Sequence, residues 1–123
     1  MKRALLSEGK GRTKVSLSID LIGNDLIVCL FNRRAHLGAV AVADYSHAEK
    51  RASISVITRL GHKEDSVASN AAYKLCKRFK KPVCAIAGIH LDNITKAETA
   101  QIVQNCDKLV ERFNRQSIAV RRQ

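Results

Sequence analysis

Four histidines occur in this chain, and three of them stand among carboxylates or cations where an apolar run ends. His36 closes "NRRAHL" behind Arg33 and Arg34. His62 lies in "RLGHKED" with Arg59, Lys63 and Asp65, and His90 lies in "GIHLDN" with Asp92 and Asn93. Imidazole and carboxylate donors suit a metal ion, and a mixed His/Asp set leaves manganese, magnesium, zinc or a monovalent ion open. Arginine and lysine on the same loops suit phosphate, which accepts forked and point-charge hydrogen bonds. The fourth, His47, sits in the polar stretch "DYSHAEKR" and reads as a solvated loop residue.

Nucleophile chemistry has weaker material. Cys29, Cys76, Cys84 and Cys106 fall inside apolar runs without a CxxC pair, which fits buried thiols in a reducing compartment better than a disulfide frame, a zinc site or a catalytic thiolate. The serines lack a nucleophile-elbow pattern. Water activated on a His/Asp-bound metal keeps a small hydrolase open.

The elements that would position these loops follow from periodicity. "KVSLSIDLI", 14–22, alternates apolar and polar residues as a half-buried strand does, "GND" turns the chain, and "LIVCLF", 26–31, returns. Strands are expected again at 38–43 and 52–58. Val67, Ala68, Ala71, Ala72, Leu75, Cys76 and Phe79 mark a helix that Pro82 closes. "VCAIAGI", 83–89, is apolar almost throughout, as in a strand covered on both faces. Ile102, Val103, Cys106, Leu109, Val110 and Phe113 mark a second helix, opened by a Thr95/Glu98 capping box.

This is an α+β, two-layer chain of order β-β-β-β-α-β-α, with two helices on a mixed, mostly antiparallel sheet of about five strands. Three hairpin links and one strand-helix-strand unit, with its two strands parallel, set the directions. Residues 1–13 and 117–123 are expected to be loose ends of a single domain, 1–123. Following those directions brings His36, His62 and His90 to one rim, where both helices also begin and turn their free N–H groups outward. Each residue also has a plain structural use. Asp65 and Thr95 can cap helices, Asp92 and Asn93 can form turns, and Gly38, Gly61 and Gly88 can permit close packing.

Composition narrows the classes. A 123-residue chain, 46% hydrophobic and 27% charged, is globular and long enough for one core. No run is long enough to span a membrane and the start lacks a signal-peptide core, so a cytoplasmic location is the default. A net charge of +11 invites nucleic acid, yet aromatics are 4% and no helix-turn-helix, zinc-finger or RNP pattern is present.

Three stretches, "HLGAVAVA" at 36–43, "GHKEDSVASNAA" at 61–72 and "AGIHLDNIT" at 87–95, resemble the LpdD-like proteins, small subunits that accompany decarboxylases dependent on prenylated flavin. The approach "FNRRAHL" lacks the glycine and proline usual there. The resemblance implies a dimeric, metal-dependent, non-catalytic chaperone that carries prenylated flavin mononucleotide (FMN) to a UbiD-like apo-decarboxylase. It implies His36, His62, His90 and Asp92 as the metal site, with Gly38, Asn93 and Thr95 joining His36 at the cofactor. Arg33, Arg34 and Lys63 are assigned to the phosphate from position and charge. A metal-dependent hydrolase or decarboxylase and a basic nucleic-acid-binding module are the alternatives.

Overall fold

The computed structural model describes residues 4–59 and 64–115. Six strands form one sheet in the order β1-β2-β3-β6-β4-β5. They are β1 (Ala4–Glu8), β2 (Val15–Ile22), β3 (Asp25–Phe31), β4 (Ala39–Ser46), β5 (Arg51–Thr58) and β6 (Val83–Gly88). The helices are α1 (Asp65–Phe79), between β5 and β6, and α2 (Lys96–Arg115), after β6. The mixed sheet, its two helices and the order β-β-β-β-α-β-α after β1 agree with the sequence expectation.

Two expectations change. Residues 4–8 are a sixth strand rather than a loose end, paired antiparallel with β2. Ala4 and Leu6 pack against the core, while Arg112 of α2 donates to the carbonyl of Ser7 at 2.7 Å and to Glu8 Oε1 at 3.0 Å. The link from β3 to β4 is also no hairpin between neighbours. β6 lies between them, parallel to β3 and antiparallel to β4, so β5 and β6 run the same way but do not touch as a ladder. The apolar run of β6 explains its central place, since a strand without polar alternation belongs inside a sheet. Strand directions survive the change, so the ends of β3, β5 and β6 still meet one rim.

Alternation sorts the side chains. Val15, Leu17, Ile19 and Leu21 of β2 face the helices with Leu26, Val28 and Leu30 of β3, and with small alanines of β6 and β4. Ala68, Ala71, Ala72, Leu75 and Cys76 of α1 meet this face, as do Ile102, Cys106, Leu109, Val110 and Phe113 of α2. The alanines let α1 approach closely, and Phe79 and Phe113 join the helices with ring centroids 5.7 Å apart. Val103, expected on the buried stripe, is 39% exposed. α1 ends where Lys80 turns left-handed, its N–H reaching the carbonyl of Cys76 at 2.7 Å, just before Pro82. The capping box is present as expected: Glu98 N–H donates to Thr95 Oγ1, and Thr95 N–H to Glu98 Oε1, both at 3.0 Å.

Candidate functional site at the sheet rim

The chain from β3 to β4 must cross the upper end of β6, and two glycines make the crossing possible. A Cβ on Gly88 would stand 1.5 Å from the carbonyl oxygen of His36, so the loop backbone rests directly on β6. A Cβ on Gly38 would stand 1.8 Å from Glu64 Oε2 and 2.8 Å from the carbonyl of Ala87. Gly38 N–H donates to that carbonyl at 3.0 Å, which pins the loop. The crossing sets the His36 ring edge-on to the His90 ring, centroids 6.0 Å apart.

Asn32 ties the same loop to the one after β6. Its Nδ2 donates to the carbonyl of His90 at 2.8 Å, while its Oδ1 accepts from His90 N–H and Arg34 N–H, both at 3.2 Å. Beyond it, His90 Nε2 lies 2.9 Å from Asp92 Oδ1, and Arg34 donates to the other carboxylate oxygen. These bonds, the one to His90 first, hold the Asp92 carboxyl below its ordinary range. Asn93 takes a left-handed φ of 52° in the turn that follows, and Thr95 serves as the cap of α2.

A cleft of about 740 Å³ opens beside this network. That lies within the span of roughly 300–1,000 Å³ typical of cofactor sites. Arg12, Lys14, Arg33 and Arg34 give it four cations against one carboxylate, Asp92, and Phe31 and Leu91 give it apolar wall. A smaller hollow of about 370 Å³ lies between Arg34, Ala35, His36 and His90. Such a lining can hold an anion at one end and a flat apolar body at the other.

Three of these residues escape sequence reasoning. Arg12 belongs to the stretch expected to be loose, Lys14 opens the first expected strand without a site role, and Glu64 stands unassigned beside His62. A 3-10 turn, Gly11–Thr13, presents Arg12 to Glu98 with Nε to Oε2 at 2.7 Å and to the carbonyl of Asp92 at 2.8 Å. Buried Asn105 of α2 holds the turn by donating to the carbonyl of Thr13 at 3.0 Å. Gly9, at φ 84°, leaves room for its side chain, since a Cβ there would come within 2.5 Å of Asn105 Nδ2. The glycine and basic residues of "GKGRTK" were the available signal. Arg12, with help from the Thr95 backbone, draws the Glu98 carboxyl down to about 2. Glu64 tucks inward, 3.0 Å from His36 Nε2 and accepting from Ile89 N–H at 3.3 Å.

The structure thus brings together His36, His90, Asp92, Arg33, Arg34 and Gly38, with Asn93 and Thr95 in the adjoining turn and cap. His62 and Lys63 lie outside the described residues. A metal fares less well than expected. Among the described residues no three His, Cys, Asp or Glu side chains gather as ligands. His36 turns to Glu64 while His90 turns to Asp92, whose second oxygen is held by Arg34. The described donors therefore do not fit a divalent ion as they stand.

No curated protein matches the chain. Among solved structures it is similar in fold to a chain from the crystal structure of a novel chaperone complex for yeast 20S proteasome assembly. The TM-score is 0.55 at 14% identity, covering 91% of this chain and 98% of that one. At that identity the likeness concerns the fold. The family model of the prenylated flavin chaperone LpdD-like domain matches residues 9–117, and the chain belongs to that family.

Proposed function

We propose that this protein is a non-catalytic carrier that binds prenylated FMN in the rim cleft and passes it to a UbiD-like apo-decarboxylase. The cleft supports this best: four cationic side chains surround a space of flavin-nucleotide size on a chain of this family. Lys14 suits the phosphate as a point charge and Arg33 as a fork, neither making the polar contacts described above, while Arg12 and Arg34 are forks already held in place. Phe31 and Leu91 offer the flavin an apolar wall that keeps water from its reactive ring. Within this proposal Gly38, Asn93 and Thr95 shape the loops around the cofactor, and Lys63 adds a further cation. The carrier is cytoplasmic and acts as a homodimer.

Titration with prenylated FMN, followed by flavin absorbance, tests the site: an Arg33→Ala, Arg34→Ala variant is expected to bind at least tenfold more weakly. Unchanged affinity in that variant removes the cleft. Repeating the titration with a chelator is expected to leave binding as it was; its loss would restore a cation to His36, His90, Asp92 and His62. Carrier function requires that the loaded protein restore activity to apo-decarboxylase while showing none alone, and turnover by the purified protein would make it an enzyme.

A further inference from the structure

The two edges of the sheet are built differently. β1 is five residues long, and Arg112 of α2 clamps its end through Ser7 and Glu8. β5 is eight residues long, pairs with β4 on one side, and among the described residues has no strand on the other. Free edges are normally blunted by brevity, proline, a bulge or a charge within the strand. "RASISVIT" uses none of these: its register with β4 is unbroken from Arg51 to Thr58, and Arg51, its one charge, stands at the very end.

Alternation tells which groups are open. Arg59 N–H donates to the carbonyl of Gly38 at 3.0 Å, so the odd-numbered residues of β5 turn their backbone groups to β4. The N–H and C=O groups of Ala52, Ile54, Val56 and Thr58 therefore point outward. Their side chains lie on the helix side, where Ala52 packs against the core, Ile54 is 36% exposed and Val56 41%. α1 packs along β5 on that side. Asn70 and Lys74 reach α2, so Tyr73, 39% exposed, stands on the flank of α1 turned toward β5. Strand edge and helix together make a ledge, with open backbone groups beside apolar side chains.

We infer that this ledge takes an extended segment of an unlike protein as an added strand, and that the segment alternates apolar and acidic residues. Backbone pairing supplies the grip and alternate side chains the choice of segment. The apolar ones lie over Ile54, Val56 and Tyr73. The carboxylates come beside Arg51, Ser53 and Ser55 on the other face, with Lys50 and Arg59 at the two ends.

Charge around the ledge favours acid. Glu49 is already 3.8 Å from Arg51, and Asp65 opens α1 at the rim end. Asp44, opposite Ser53, stands one strand further in, about 10 Å from an added strand and so near a Debye length away. Arg51 is directly adjacent. A second copy fits less well: two β5 edges paired antiparallel about Ser55 would set Arg51 of each opposite Arg59 of the other, and like charges so placed are destabilising. The ledge is separate from the rim cleft, so its occupant does not depend on flavin binding.

The experiment uses the full chain and a fluorescein-labelled, end-blocked peptide of β5's length that alternates valine and glutamate, with a valine–lysine peptide as counterpart. Fluorescence anisotropy is expected to show the glutamate peptide binding at least tenfold more tightly than the lysine one. Val56→Pro removes an outward N–H that the β4 ladder does not use, so it should keep the circular dichroism of the fold and lose at least tenfold in affinity for the glutamate peptide. Amide exchange followed by nuclear magnetic resonance on the wild type decides the matter should that variant misfold. The N–H groups of Ala52, Ile54, Val56 and Thr58 should exchange at least tenfold more slowly with the glutamate peptide, while those of Ser53, Ser55 and Ile57 stay slow with or without it.

No measurable binding of the glutamate peptide by the wild type overturns the ledge as a docking site. Equal affinity for the two peptides overturns its preference for acid. Binding that leaves the outward amides unchanged, or a folded Val56→Pro with wild-type affinity, overturns strand addition. Outward amides that are slow in the free protein and quicken on dilution would mean that copies pair through β5, which overturns the unlike partner.

Discussion

Gly88→Ala is the sharpest perturbation of the loop crossing. The added methyl would lie 1.5 Å from the His36 carbonyl oxygen, 2.7 Å from its carbonyl carbon and 3.1 Å from its nitrogen. All three are backbone atoms, so no rotamer change relieves the contact. Gly88 is not in the left-handed region, so alanine brings no strain of its own there. Overpacking typically costs about 1–3 kcal/mol, and a backbone obstacle belongs near the top of that range. Alanine returns about 0.4–1 kcal/mol by restricting the unfolded chain, leaving a net loss of roughly 2–3 kcal/mol. For a chain of this size each kcal/mol moves Tm by about 3–5 °C, so the melting point should fall on the order of 10 °C. Calorimetry with far-ultraviolet circular dichroism measures it, and the same sample should lose flavin binding as the loop bearing Arg33, Arg34 and His36 lifts. A Tm within about 2 °C of wild type together with unchanged binding would refute the crossing.

Two further outcomes concern the segment that sequence reasoning undervalued. Asn105→Ala strands the carbonyl of Thr13 and frees the 3-10 turn, which should cost about 1–3 kcal/mol in urea unfolding. It should also weaken flavin binding by releasing Arg12, whereas a loss of stability with unchanged affinity would separate the turn from the site. Glu98 has a depressed carboxyl, so its pairing with Arg12 is present above its ordinary value of 4.5 and disappears as pH falls through about 2. Glu98→Gln should therefore flatten the acid side of the urea-midpoint profile between those values, and an unaltered slope would discount the pair.

Much of this was legible because local rules and tertiary demands agree. Alternation in "KVSLSIDLI" and the three- and four-residue spacing in both helices place the core face correctly, and Thr95 with Glu98 marks the start of α2. Tracking directions was enough to bring His36 beside His90, since that depends on which way strands run and not on their neighbours. Neighbour order was not legible: nothing local in "LIVCLF" states that β6 pairs with it, and β4 continues through polar Asp44 and Ser46 beyond its apolar run. β1 is too short, at five residues, for periodicity to separate it from a tail. Glu64 and Arg12 were missed because their partners, His36, Glu98 and Asp92, lie far along the chain, where spacing carries no signal.

In the proposed function the rim cleft grips the flavin by its phosphate, so affinity for prenylated FMN and for its dephosphorylated counterpart should be compared at one salt concentration. Charged hydrogen bonds contribute about 1.5–3 kcal/mol each, so losing the phosphate should weaken binding by at least the roughly 10- to 100-fold that one such bond supplies. Equal affinity for the two would mean that Arg12, Lys14, Arg33 and Arg34 do not hold the cofactor.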